Sequence, residues 1–423
     1  MKLDRMFKKN VVALAKANVI IQLLTVCFAP VISRLFSPSD YGLLAAFSLL
    51  VVLLTAVSTL RFEWIVPTSK SNSQAAILFV FGIVSALIFI LVTSVIFMSS
   101  LVWGYAPTAI LALRPYWPLI ILGVLFLSCF NLLRSWSARK TNLLNIARIN
   151  WQQGLARISL RLFFGYMSFG GIGLILSSVL ARSLGLRSFY EALLEVAAHL
   201  QKINFKRVSM TWKRYRQKAA TSALISLINT ISTNLLILGL AVYYSAFELG
   251  ILAFSLRLVA GPINVVTRAT AQSFWSRAAE LARTGQYTVL RKEYLYVSMI
   301  LSLCAFLVST VIFLAAPYTG LLFGENWTGA GSVLVCMIPL FVGTIIVAPT
   351  NHLIAIQKQR LQLFADISRV FLITASIGIS IYFALGFNLA VLLCCSSSLC
   401  GYLILAGIQN YQHYKLITKS GNV

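Results

Sequence analysis

The chain has 423 residues, 59% of them hydrophobic and 11% charged, with 35 Lys and Arg against 10 Asp and Glu for a net charge of +25. A soluble domain is about a quarter charged, so these proportions exclude one. The apolar runs are about 20 residues long rather than alternating segments of about 10, which points to an integral membrane protein of helices and not a barrel. The basic excess lies between the apolar runs, where it anchors loops at a membrane surface, and gives no reason to expect a nucleic-acid partner.

In chain order, the windows predict twelve spans at 11–36, 42–62, 75–99, 117–137, 143–168, 170–187, 218–244, 246–275, 290–316, 330–356, 361–385 and 388–410. The opening MKLDRMFKKN resembles the start of a signal peptide. Lys16, Asn18 and Gln22 break the following run and no small-residue cleavage motif appears, so it reads as an uncleaved first helix. Asn18, Gln22 and Thr25 share one face of that helix, as a polar lining or a hydrogen-bonded packing face, and Lys16 points away from Gln22.

The second span ends in RFEWIVP at 61–67. Arg61 and Glu63 would point about 200° apart on a continuous helix, so they are not expected to pair. They read as part of a cytoplasmic rim or inner gate, with Trp64 in an interfacial ring. In the fifth span Asn150, Gln153, Arg157 and Arg161 fall within an arc of about 80°. Two arginines one turn apart inside a span form either the wall of a hydrated, anion-attracting cavity or a pair buried against carbonyls or another helix.

The seventh span carries Ser222, Ser226, Asn229 and Thr233 on one face. The eighth repeats the basic pattern: Arg257, Asn264, Arg268 and Gln272 lie within about 80°, around Pro262, which interrupts the helix. In the eleventh, Asp366 and Arg369 are three apart, spaced to pair locally, and are the candidate coupling-ion residues. Cavities rich in Arg and poor in carboxylates select anions, because guanidinium forks bind phosphate bidentately and stay protonated. Seven cysteines, all in apolar runs, and three scattered histidines suggest no metal and no cofactor.

Orientation follows the basic residues. With the N-terminus inside, inside segments hold Lys2, Arg5, Lys8 and Lys9, then Arg134, Arg139 and Lys140, then Arg277, Arg283, Arg291 and Lys292, then Lys358 and Arg360. Outside loops hold Arg34 and Arg114, and the longest, near 100–116, is short. Both termini are therefore expected in the cytoplasm.

The chain also repeats itself. SPSDYGLLA at 37–45 matches SAFELGILA at 245–253, with Asp40 opposite Glu248, and the same register sets Arg61 opposite Arg268. The expected fold is all-α and polytopic: two six-helix bundles related by pseudo-two-fold symmetry, an N-terminal lobe at 1–187, a basic cytoplasmic linker at 188–217 and a C-terminal lobe at 218–423.

Three segments carry a family resemblance. SRLFSPSDYGLLA leading to LRFEWIVP, KRYRQKAATSALISLINTIS at 213–232, and RLVAGP at 257–262 followed by QSFWSRAAE resemble the second, seventh and eighth helices of Wzx-type polysaccharide flippases. These are the O-antigen translocases of the MOP (MATE-like) exporter superfamily. The Arg-Leu-x-x-x-Pro spacing is also similar to that of lipid II flippases. The resemblance implies translocation of an undecaprenyl-pyrophosphate-linked oligosaccharide, for O-antigen, lipopolysaccharide or capsule, across a bacterial inner membrane. It implies alternating access, with Arg157, Arg161 and Arg257 on the pyrophosphate and Asn150, Gln153, Asn264, Arg268, Asn229 and Gln22 in the cavity. A Na⁺ or H⁺ gradient and other polysaccharide-assembly membrane proteins are the implied partners.

A multidrug antiporter of the same superfamily is the nearest rival. It needs a carboxylate in its cavity, and Asp40 and Glu248 lie near span ends. A membrane glycosyltransferase or polymerase needs a substantial outside loop with catalytic acids, which the spacing does not offer. The reading is a transporter, not an enzyme.

Overall fold

The computed structural model describes residues 2–69, 71–99, 111–140, 143–201, 204–353 and 358–420, and these are helical with short connections. Each predicted span overlaps helix within its described residues, and 354–356 of the tenth lie outside them. In hydrocarbon, only a helix satisfies each backbone N–H and C=O within its own segment. The helices are α1 Lys2–Leu35, α2 Pro38–Ser58, α3 Asn72–Met98, α4 Trp117–Arg139, α5 Leu143–Tyr166, α6 Gly170–Ser183, α7 Leu186–Leu200 and α8 Phe205–Thr233. They continue with α9 Leu235–Leu240, α10 Ala246–Arg283, α11 Tyr287–Ala315, α12 Thr328–Cys336, α13 Ile338–Ile346, α14 Gln359–Tyr382 and α15 Phe387–Ser420.

Among the described residues, eight helices are long and apolar enough to cross a membrane, or nine if α12 and α13, bent by 49° at their junction, form one span. The protein is a multi-pass membrane protein. The side chains of residues 1–18, including Lys16 and Asn18, lie outside the described residues, as does 100–110 of the predicted outer loop.

The fold divides into two compact units, Met1–Asn234 with Ser245–Gly250, and Leu235–Tyr244 with Ile251–Val423. In the first, α5 lies between α1 and α6. Gly154 and Gly165 allow the close approach to α1: a Cβ on Gly154 would stand 2.7 Å from Ile21, and one on Gly165 2.8 Å from Leu35. Ser58 Oγ and Ser128 Oγ, 2.8 Å apart, join α2 to α4. The core gathers Phe62, Phe79, Leu132, Trp136 and Phe189 from four segments.

α7 occupies much of the stretch expected to be a linker. Its apolar face packs on α3 and α4, and Trp136 Nε1 donates to Glu195 at 2.9 Å. α8 packs on α2 and α3, which brings residues 218–234 into the first unit by compactness. In the second unit, α14 and α15 form an antiparallel pair, and α13 packs on α11 and α15. The fully buried Trp327 sits 4.3 Å from the Phe254 ring.

The repeat is visible in the caps. Ser37 N and Oγ both donate to Asp40 Oδ2 at 2.8 Å, and Asp40 N donates back to Ser37 Oγ at 3.2 Å. Ser245 N and Oγ donate to Glu248 Oε2 at 2.9 Å, and Glu248 N returns to Ser245 Oγ at 3.4 Å. Each is a reciprocal cap that satisfies otherwise orphaned donors at a helix start.

Candidate functional site

The basic stripe of the first unit sits on α5. Arg157 and Asn150 are half-buried, while Gln153 and Arg161 are 7% and 9% exposed. Arg161 lies one turn before Gly165 and two turns after Gly154, so it projects toward the side that α1 covers. Tyr41 of α2 is close enough to interact with it electrostatically, and its Nε has no hydrogen-bond partner. Gln153 Nε2 donates to the Arg182 carbonyl at 3.2 Å, which ties α5 to the last turn of α6.

Arg182, half-buried, adds a third arginine near this stripe, with its buried Nη1 unpartnered. The sequence reading did not single it out, because it stands alone in its span. The signal available was its place at the end of an apolar helix that has no acid. Gln22 on α1 is half-buried, and Asn229 on α8 is exposed. Beside Asn229, Ser226 is buried, and Thr233 Oγ1 donates to the Asn229 carbonyl at 2.9 Å.

In the second unit, α10 carries Arg257 half-buried, with Asn264 and Arg268 exposed. Next to Arg257 along the same helix, Leu258, Pro262 and Val266 line an apolar crevice of about 480 Å³, closed on the other side by Leu307 and Val311 of α11. α10 therefore presents a guanidinium and, beside it, a hydrocarbon surface. Asp366 Oδ1 lies 3.9 Å from Arg369 Nη2 on α14, the local pairing expected of the i, i+3 spacing. Arg369 also stacks over Tyr402, with its guanidinium carbon 4.9 Å from the ring centre.

One expectation is corrected. Arg61 Nη1 lies 3.1 Å from Glu63 Oε1, so the two residues pair. The separation of about 200° assumed a continuous helix, and the helix stops at Ser58. Leu60 and Arg61 take left-handed φ values of 47° and 57° before a four-residue turn, Phe62–Ile65. That reversal swings Arg61 back over Glu63. Glu63 is only 5% exposed and also accepts from the Thr59 hydroxyl, while Arg61 stacks over Trp64 at 4.9 Å. Arg139 of α4 anchors the following loop, its Nη1 donating to the Ser69 carbonyl at 2.8 Å.

Comparison with known proteins follows the same lines. An inward-facing multidrug resistance MATE family transporter of the MOP superfamily is 14% identical, with a TM-score of 0.71 over 96% of this chain and 99% of its own. The lipid II flippase MurJ, in an inward closed conformation, is 13% identical, with a TM-score of 0.66 over 96% of this chain and 89% of its own. A MOP superfamily transporter from Pyrococcus furiosus, described as having a binding pocket of reverse polarity, is 17% identical, with a TM-score of 0.55 over 97% and 96%. At these identities the likeness is one of fold, and the fold is that of the MOP transporters. No curated protein matches the chain. The model of the family described as "Polysaccharide biosynthesis protein" matches residues 31–332, most of the chain, and the chain belongs to that family.

Proposed function

We infer that the protein is a flippase, and not an enzyme, that moves an undecaprenyl-pyrophosphate-linked oligosaccharide from the cytoplasmic to the periplasmic leaflet of a bacterial inner membrane. The carrying observation is the arginine content of the spans. α5 and α10 hold Arg157, Arg161 and Arg257, all half-buried or buried, on helical faces that also carry Asn150, Gln153 and Asn264. Helical faces rich in arginine fit a ligand that brings negative charge, because guanidinium forks bind phosphate bidentately and stay protonated. The family description supplies the polysaccharide context. The crevice beside Arg257 suits the rest of such a ligand, which is a pyrophosphate head on a long hydrocarbon chain.

In this reading the two repeats rock against each other, and the arginines hold the pyrophosphate while it crosses. Asn150, Gln153, Asn264, Arg268, Asn229 and Gln22 meet sugars, and Arg61 and Glu63 brace the cytoplasmic rim. Both termini face the cytoplasm. A Na⁺ or H⁺ gradient drives the cycle, and other polysaccharide-assembly membrane proteins take the product.

The multidrug alternative loses support from one feature. It would use Asp40 and Glu248 as cavity acids, and both carboxylates are engaged in helix caps. Deleting the gene and identifying the lipid extract tests the proposal. Accumulation of a lipid-linked oligosaccharide on the cytoplasmic side is expected, and an unchanged lipid pool with normal surface polysaccharide would overturn it.

A further inference from the structure

Away from the arginine stripes, the second unit holds a cluster that the reading above does not use. His352 follows α13, and His413 lies near the end of α15. They are 0% and 1% exposed, with ring centres 4.5 Å apart at an interplanar angle of 32°. Tyr294 of α11 packs against both, at 5.4 Å and 5.1 Å, and Phe274 of α10 lies 5.9 Å from His352. Four segments therefore meet around two imidazoles.

The hydrogen-bond accounting of this cluster is incomplete in one direction. His352 Nδ1 is 3.0 Å from the Thr350 carbonyl, so it carries a hydrogen and donates it. That leaves Nε2 as a buried lone pair with no partner, and neither ring nitrogen of His413 has one. Gln409, one turn before His413 on α15, is also fully buried. Its Nε2 donates to Asn351 Oδ1 at 3.4 Å, which leaves Oε1 as an unpartnered acceptor. Asn351 donates to Gln362 at 2.5 Å, and Gln362 donates to Asp366 at 3.0 Å, so a chain of amides ending on a carboxylate fixes the direction in which Gln409 points.

Each orphaned buried group carries an uncompensated desolvation cost that apolar side chains of the same shape would avoid. Packing alone does not explain two histidines here. One added proton would turn a buried lone pair into a donor and place a single charge in the cluster. A second would set two cations a ring spacing apart inside a low dielectric, which is strongly unfavourable.

We propose that His352 and His413 form a single-proton binding site whose occupancy is coupled to the transport cycle. The coupling rests on the transporter reading above; the proton site does not. Uptake adds a charge at the joint between α10, α11, the segment after α13, and α15. A packing that holds the neutral pair and a looser one that holds the charged pair then differ in proton affinity, which is the condition for coupling.

The surrounding charges are few. Burial is what most opposes a proton on His413, the facing His352 ring comes next, and the field of Arg291 of α11 adds to it. Asp366 of α14 favours it from the far end of the amide chain, beside Arg369. From α11 the Tyr294 phenol also faces the pair. Arg277 of α10 pairs with both Glu280 of α10 and Glu293 of α11, which leaves that cluster one negative charge in excess, and Lys358 and Lys415 are exposed.

The chain has three histidines, so ring-¹⁵N-labelled full-length protein in lipid nanodiscs gives few signals, and His199→Gln identifies the remaining two. Over a titration from about pH 8 down to about pH 3, extended below the range of an ordinary imidazole because burial disfavours its charged form, we expect His352 and His413 to take up one proton between them. We also expect His413→Gln to move the His352 midpoint by about one pH unit or more. Two independent single-site titrations in the wild-type protein, or a His352 midpoint that ignores His413→Gln, would overturn the site.

In cells, His352→Gln and His413→Gln at normal membrane levels should lower surface polysaccharide roughly tenfold or more, a change in activation barrier of about 1.4 kcal/mol or more. Wild-type export by both would overturn the coupling. If instead gene deletion leaves lipid-linked oligosaccharide unchanged, the flippase reading fails, and the titration still decides the proton site.

Discussion

Gly42 of α2 and Gly250 of α10 meet at a crossing within the first unit, each pressed against the other helix's first turn. A Cβ on Gly42 would lie 1.8 Å from the Ala246 carbonyl oxygen, and one on Gly250 would lie 1.7 Å from that of Pro38. Gly42 and Gly250 occupy matching places in the repeat, as do Pro38 and Ala246. The contact is thus reciprocal, and it is backbone against backbone, with no flexible side chain to yield.

Gly42→Ala and Gly250→Ala should therefore each be destabilising, by at least the roughly 1–3 kcal/mol that overpacking costs. Gly378 of α14 is the control, because a Cβ there meets nothing within 4 Å. Gly378→Ala should be neutral, or stabilising by up to about 1 kcal/mol, since glycine is a weak helix former. Thermal unfolding in detergent reads both. Equal melting temperatures for Gly42→Ala and Gly378→Ala would contradict the close approach.

The two caps beside this crossing make a second comparison. Ser37 and Ser245 each accept from the backbone N–H three residues on and donate to the acid there. Ser37→Ala and Ser245→Ala should each cost about 1 kcal/mol. The repeat predicts similar losses. A loss confined to one site would show that the caps differ in weight although they share a geometry.

The Arg61–Glu63 pair should behave asymmetrically. Glu63 is the more buried partner and also accepts from Thr59. Glu63→Ala strands a guanidinium and a hydroxyl, and breaking a buried pair costs about 3–5 kcal/mol. Arg61→Ala leaves Glu63 its Thr59 bond and should cost less. A double-mutant cycle in denaturation measures the coupling, and additive losses would mean that the 3.1 Å contact contributes nothing.

That pair also marks where the sequence stops being legible. Hydropathy locates the helices because a bilayer leaves the backbone no other option, and the Ser-x-x-Asp and Ser-x-x-Glu repeats announce their own caps. Asp366 and Arg369 are readable because helical spacing places them together. Arg61 and Glu63 are not, because two non-glycine residues take left-handed φ values that their side chains give no reason to expect. His352 and His413 are isolated in the sequence and meet only through the packing of α11, α13 and α15. Arg182 looks like a lone terminal arginine until α5 and α6 come together around Gln153.

Arg161 separates the demands of stability from those of transport. It is 9% exposed, it sits on the side of α5 that α1 covers, and its Nε lacks a partner. Replacing a buried, poorly compensated charge with an apolar side chain of similar length is often neutral or stabilising, by about 1–4 kcal/mol. Arg161→Met should thus melt at the same temperature as wild type or higher. If Arg161 serves the pyrophosphate, the same variant should export roughly tenfold less surface polysaccharide, and Arg161→Lys should recover part of the loss because it restores charge without the fork. A variant that is less stable yet exports normally would make Arg161 a structural residue and remove it from the proposed site. One that is stable and inactive would explain why an uncompensated cation is kept inside a membrane helix.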